Sequence, residues 1–429
     1  MKLLVFMLDA LCASDAEFMK TLPNFSKVFE KGSYVKSLEP VHPALTYCCH
    51  TSILTGKHVG GHGIVHNEIL ERGGKSGAPW HGLRADVKAP TLLDAARDAG
   101  LSTCSLSWPV SGGADYTYNM PMIVPYGYTG YHPEKWLEGT ATQNLMDKYF
   151  WKYGRYIKGE DRSLDLLTMA LAPDIIEDFG QPDVMLVKMC DLDSVRHTYG
   201  VYHEKTKEQL RKHDEELGVL LEAIRRFGDP DDTNVVVMGD HGQTDVSDVL
   251  YINRLLADNG FIQTDGAGNM TSFDAFAHST GLACLVELAD PADKATAKRV
   301  RDFLESLKRD EKIQLRYVID AAEADALYGL RGPFDFVIES DRDISFSEKL
   351  DTDTLWGSTE PGDHKTGAAT HGSRPDRVET TLFIACGPAI KTGAEIDRAR
   401  MVDEAPTMAK MLGLTMKDTD GRIMEELLR

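Results

Sequence analysis

The chain has 429 residues, 42% of them hydrophobic and 27% charged, a balance that belongs to a folded globular protein rather than a disordered or fibrous one. Against 67 acidic residues stand 47 basic ones, a net charge of −20, which excludes a broad polyanion-binding surface because nucleic-acid affinity rests on clustered Lys and Arg. Seven cysteines, an odd number without a CxxC pair, argue against a disulfide framework and for a reducing compartment.

The chain opens on "LLVFML" (3–8), an apolar run closed by Asp9. Asp9 comes too early for the core of a signal peptide, so the segment reads as a buried strand and the expected location is the cytoplasm. No apolar run is long enough to span a membrane. A helix is expected over 24–31. "LTYCCHTSILTG" (45–56) reads as the start of another, with Thr46 at its head. A helix over 91–99 leads to the strand "LSTCSLSW" (101–108). Residues 110–160, rich in Gly, Tyr, Pro and Trp, resemble a lid or pocket wall. A helix over 163–179, the strand "VMLVKMC" (184–190), a helix over 205–227 and the strand "NVVVMG" (234–239) follow. A long insertion, 260–370, has its own apolar runs and a helix near 291–308, and reads as a smaller α+β subdomain. The strand "TLFIACG" (381–387) and a helix over 406–412 return to the core, which thus comprises 1–259 and 371–429. Continuous apolar strands alternating with helices predict an α/β fold with a mostly parallel sheet.

In such sheets ligands bind beyond the carboxyl ends of the strands. Three expected strands end in carboxylates there: Asp9, the "DLD" of 191–193, and Asp240 beside His241. Asp193 and His197 are four apart and share a face if that stretch is helical. His371 precedes a glycine in "ATHGS". His58, His203 and His213 sit among polar residues and are expected at the surface. Each His–carboxylate pair alone is an ordinary loop element. Gathered at strand ends, three carboxylates and three histidines make a nitrogen–oxygen ligand set suited to zinc, with manganese or iron as runners-up. Two such ions clamp an in-line phosphoryl displacement. Thr46, at a helix N-terminus whose N–H groups favour phosphate, is either a helix cap or the nucleophile.

These segments, in this order, resemble the nucleotide pyrophosphatase/phosphodiesterase (type I phosphodiesterase) branch of the alkaline phosphatase superfamily. The resemblance runs over most of the chain. It rests on Asp9, "PALTYCCHTSILTGKHVGGHGIVHN" (43–67), "WP" at 108–109, "DSVRH" (193–197), "GDHG" (239–242), "THG" (370–372), "FIACGPAI" (383–390), "APTMAKMLGL" (405–414) and "DGRIMEELL" (420–428). It implies an alkaline-phosphatase-like core, two zinc ions per chain and a small phosphoester substrate, nucleotide-like among the candidates. Neither a nucleic-acid polymer nor a membrane is the expected partner. Asp193, His197 and His371 are implied as ligands of one ion, and Asp9, Asp240 and His241 of the other, with Thr46 as the bridging nucleophile that becomes a phosphothreonine. His371 is preferred over His364 as the last ligand.

The family's segment runs Thr-aromatic-Pro-Asn-His, and here Cys48 and Cys49 replace Pro and Asn. Cys49 is therefore expected at a phosphate oxygen in place of an amide, with some other group or the Tyr47 N–H carrying more of that load and Trp108 also facing the substrate. Two other readings share the site: a phosphomonoesterase or phosphonate hydrolase, and a non-catalytic metal-binding relative. A sulfatase is excluded, because "CCHTS" lacks the arginine of the formylglycine motif.

Overall fold

The computed structural model describes residues 1–123, 133–158, 162–265 and 268–429. Parts of the segment expected as a lid or pocket wall, 124–132 and 159–160, lie outside the described residues. The core is a single large sheet. Its central strands, Lys2–Leu8, Val184–Met189 and Thr233–Gly239, are buried almost throughout. Lys2–Leu8 lies between the other two and is parallel to both, with Leu8 opposite Met189 and Gly239. The sheet continues on one side through Thr103–Leu106 and Tyr118–Met120, all parallel. On the other side Thr381–Cys386 runs antiparallel to both of its neighbours, Thr233–Gly239 and Ser33–Glu39.

Alternate side chains of the first strand enter two separate apolar layers. Leu3, Val5 and Met7 face a layer holding Cys48, Cys49 and Ile53 of the Thr46–Thr55 helix and Met408 of the Glu404–Met411 helix. Leu4, Phe6 and Leu8 face the other, built by the Leu164–Phe179 and Glu204–Phe227 helices. A sheet covered on both faces needs continuous apolar strands, which is why these runs were readable in the sequence. His213 departs from its expected surface position. It is buried on the Glu204–Phe227 helix, its ring edge-on to Phe6 at 6.5 Å.

Beyond the third central strand the chain builds a second, antiparallel sheet in the order Ala275–Ser279, Ala283–Leu288, Phe336–Ser340, Leu315–Asp320. One face packs on the Lys294–Ser306 helix through Val300 and Leu304. The other face gives Leu285 and Val337 to the layer that holds the Thr46–Thr55 helix. A short antiparallel pair, Thr244–Asp245 with Ala369–Thr370, then draws the returning chain back to the carboxyl edge of the main sheet. No described helix is long and apolar enough to cross a membrane.

Candidate active site

Because the three central strands are parallel and in register, their carboxyl ends reach one edge together. Asp9 and Asp240 follow directly there. Asp193 and His197 lie one turn apart on the Asp191–Tyr199 helix, which starts just after the Val184–Met189 strand. The pairing of Ala369–Thr370 with Thr244–Asp245 sets His371 against His241, ring centroids 3.9 Å apart. Gly372, at φ +92°, makes that turn, and a Cβ there would lie 1.7 Å from the Thr280 carbonyl oxygen. Only glycine fits.

Ligand-bearing atoms converge in two groups, Asp9 with Asp240 and His241, and Asp193 with His241 and His371. His241 belongs to both groups, so the geometry joins the two expected trios more closely than a three-and-three division implied. His197 adjoins the second group, its Nε2 3.3 Å from Asp193 Oδ1. His364 stands in neither group. It lines a neighbouring cleft, its ring 5.3 Å from that of Trp80.

The hydrogen bonds fix how these groups present themselves. His197 Nδ1 is 2.8 Å from the Ala369 carbonyl, His371 Nδ1 2.9 Å from that of Ala44, and His241 Nδ1 3.2 Å from that of Gly242. A carbonyl only accepts, so each Nδ1 carries the proton and each Nε2 keeps its lone pair. That is the tautomer a metal-binding imidazole needs, with its far nitrogen anchored. His197 Nε2, Asp9 Oδ1 and Asp240 Oδ2 are buried and make no hydrogen bond. Buried polar atoms are ordinarily satisfied, because an unmet one costs about 1–3 kcal/mol. Asp9 and Asp240 belong to one group and His197 adjoins the other, so their orphaned atoms fit a site made for cations. Burial, and then the neighbouring Asp240, push the Asp9 carboxyl up, while burial pulls His371 down to about 3. Burial also opposes ionisation of Asp193, but the His197, His371 and His241 imidazoles together hold it well below the usual carboxylate range.

Thr46 is the first residue of the Thr46–Thr55 helix, with Oγ1 3.2 Å from His241 Nε2. His50, one turn along, sits between the Thr46 carbonyl at 2.8 Å and Asp240 Oδ2 at 3.2 Å.

The expected substrate contacts need correction. Cys49 is fully buried in the apolar layer between sheet and helix, so its thiol has no surface on the site. Trp108 is likewise enclosed, its ring 4.8 Å from that of His50. It packs behind the helix instead of facing a substrate. Tyr47 is buried against Trp80, and its N–H donates to Asn67 Oδ1 at 3.1 Å. That N–H is already engaged. The residue overlooked is Asn67, anchored by its carbonyl oxygen at the residue after Thr46, its NH2 making no hydrogen bond to the described chain. Its signal was the asparagine closing "HGIVHN" (62–67). From Glu68, the next residue, a cleft of about 520 Å³ opens, lined also by Phe276, Glu348, His364 and Lys365. Lys188 was overlooked too. It is buried within the second central strand, with Nζ 2.7 Å from Asp9 Oδ2.

A family model described as type I phosphodiesterase/nucleotide pyrophosphatase matches residues 3–374. Ectonucleotide pyrophosphatase/phosphodiesterase family member 7 of Rattus norvegicus is 23% identical over 421 residues, covering 95% of this chain and 83% of its own length. Family member 1 of Homo sapiens is 23% identical over 443 residues, covering 97% of this chain and 40% of its own length. Among solved structures, murine ectonucleotide pyrophosphatase/phosphodiesterase 5 superposes with a TM-score of 0.69 at 16% identity, over all of both chains. An inactive form of it in complex with AMP does so equally. The fold is thus the alkaline-phosphatase-like α/β core expected from the sequence.

Proposed function

Since this chain belongs to the type I phosphodiesterase/nucleotide pyrophosphatase family, a family of phosphoester hydrolases, we propose that it hydrolyses small phosphodiesters and pyrophosphates, nucleotide-like ones among them, through Thr46. The observation that carries this reading is the convergence of buried carboxylates and imidazoles in two groups that share His241, whose Nε2 lies 3.2 Å from the Thr46 hydroxyl. The AMP complex of the murine neighbour supports a nucleotide-like group on the substrate.

Two zinc ions, one held by Asp193, His197 and His371 and one by Asp9, Asp240 and His241 with Thr46, would draw charge off the phosphoryl oxygens and make hydroxyl and water acidic near neutral pH. Every other part is played by the chain. Thr46 Oγ1 attacks phosphorus and the ester oxygen opposite leaves with its electron pair, which puts the phosphoryl group on the threonine. The oxygen of a water then bonds to phosphorus as the Thr46 Oγ–phosphorus bond breaks, a proton returns to Oγ1 to restore the hydroxyl, and the phosphate product leaves. The helix that starts at Thr46 would turn the positive end of its dipole toward the phosphoryl oxygens. Asn67, fixed through its Oδ1, has an NH2 left to donate to an oxygen that grows more negative in the transition state. The cleft beginning at Glu68 is where the rest of the substrate would lie.

The test is turnover of zinc-loaded protein on bis-p-nitrophenyl phosphate, with p-nitrophenyl phosphate and a phosphonate alongside. The diester should be the fastest of the three, and Thr46→Ala should lower kcat/KM by on the order of 10³-fold or more. A Thr46→Ala variant with full diesterase activity overturns the threonine mechanism. A faster monoester or phosphonate overturns the substrate class.

A further inference from the structure

Lys188 occupies a position that a folding argument alone would give to an apolar residue. It lies in Val184–Met189, flanked by the fully buried Val187 and Met189, and is itself fully buried. Its Nζ reaches Asp9 Oδ2 at 2.7 Å. Its two other contacts are sulfurs, Cys190 Sγ at 3.1 Å and Met122 Sδ at 3.9 Å, both weak acceptors. A buried ion pair is often no more stable than two apolar side chains of the same volume. Stability of the strand therefore gives no reason for a lysine here, and its one strong partner, Asp9, stands in the catalytic cluster.

The pair has a geometric consequence. With Oδ2 held by Lys188, Asp9 has a single oxygen left. That oxygen, Oδ1, makes no hydrogen bond and lies 3.5 Å from His241 Nε2. The lysine thereby fixes which oxygen Asp9 turns toward Asp240 and His241. It also has an electrostatic consequence. Two divalent ions bring four positive charges. Asp9, Asp193, Asp240 and an ionised Thr46 bring four negative ones, which leaves the loaded site neutral. Lys188 makes it singly positive, the complement of a phosphodiester monoanion, and a charge in such a dry site is felt strongly.

We propose that Lys188 is a positioning residue: it presents Asp9 to the metal through Oδ1 alone and sets the charge of the loaded site to that of a singly ionised diester. The proposal rests on the two-zinc phosphodiesterase reading above. Its test compares the wild-type protein with Lys188→Met and Lys188→Arg. Zinc affinity is read by titration against a competing chelator, stoichiometry by elemental analysis, and kinetics on bis-p-nitrophenyl phosphate at saturating zinc. Lys188→Met should bind one zinc as the wild type does and the other about 10- to 100-fold more weakly, the range for losing a group that orients a ligand. Its KM for the diester should rise more than its kcat falls. Lys188→Arg should recover most of both, because the charge returns. The proposal is overturned if Lys188→Met binds both ions at wild-type affinity. It is overturned equally if both sites weaken together with a fall in Tm that Lys188→Arg shares, the mark of a merely structural residue. A wild-type protein that takes up no zinc sinks the two-metal reading, and this proposal with it.

Discussion

The substrate contact that the sequence assigns to Cys49 falls instead to Asn67. The cysteine stands where the family pattern has an asparagine, but the helix turns it into the apolar layer with Ile53 and Met408. Asn67 reaches the helix head from the following loop and takes the Tyr47 N–H. Two opposite outcomes follow. Asn67→Ala should lower kcat/KM for a diester on the order of 100-fold, as removal of a transition-state donor does, and should also lower Tm, because the buried Tyr47 N–H loses its Asn67 acceptor. Cys49→Asn should gain no activity and should cost about 1–3 kcal/mol of stability in urea denaturation, because it puts an unpaired amide in the core. A Cys49→Asn protein that is both stable and faster would return the substrate contact to Cys49. The three aspartates were legible because each follows a continuous apolar run. Lys188 was not, because a single lysine inside "VMLVKMC" does not break the pattern of a buried strand.

At the scale of the element, the site depends on a few short connections. His371 stands where it does because Ala369–Thr370 pairs with Thr244–Asp245 and Gly372 then turns against Thr280. Gly372→Ala would force a Cβ into the Thr280 carbonyl at a left-handed φ, so the loop must shift. The expected result is a protein with its main sheet intact by far-UV circular dichroism, a lower zinc stoichiometry and little diesterase activity. Retention of both ions would show that the loop tolerates the change. Element types were readable where one physical signal dominated. The Glu204–Phe227 helix has its apolar stripe, and the central strands their unbroken burial. Ser33–Glu39 went unread because it is only half-buried, with Lys36 exposed, and "SYVKSLE" alternates too loosely to announce a strand. The two-residue pairing at 369–370 has no local signal, since a long-range contact creates it.

Across the whole molecule, the second sheet and the catalytic loops share a buried polar junction. Glu339, on the second sheet, accepts from the Arg374 N–H at 3.0 Å and from the Tyr317 hydroxyl at 3.3 Å. Tyr317 in turn lies 3.4 Å from His42 Nε2, four residues before Thr46, and Arg374 follows His371 by three. Burial pushes the Glu339 carboxyl up from 4.5 to about 6. The folded state therefore holds this proton more tightly than the unfolded one. Its contribution is complete below pH 4.5 and is lost as pH rises through about 6, a decline of about 2 kcal/mol. Glu339→Gln should flatten that part of the stability profile in urea titrations at pH 4.5 and 6.5. An unchanged slope would assign the decline to another group.

The antiparallel Thr381–Cys386 strand has one further consequence, for the order in which the protein forms during synthesis. It fills the gap between Ser33–Glu39 and Thr233–Gly239, both translated long before it. Until residue 386 clears the ribosome, both of those strands wait with an edge of unpaired N–H and C=O groups, the condition that invites wrong pairing. A nascent chain stalled at residue 374 should thus stay protease-sensitive at 233–239 and gain protection once 381–386 is released. Every ligand of the proposed metal site has been made by that point, yet the sheet that carries Asp240 closes only when this late strand arrives.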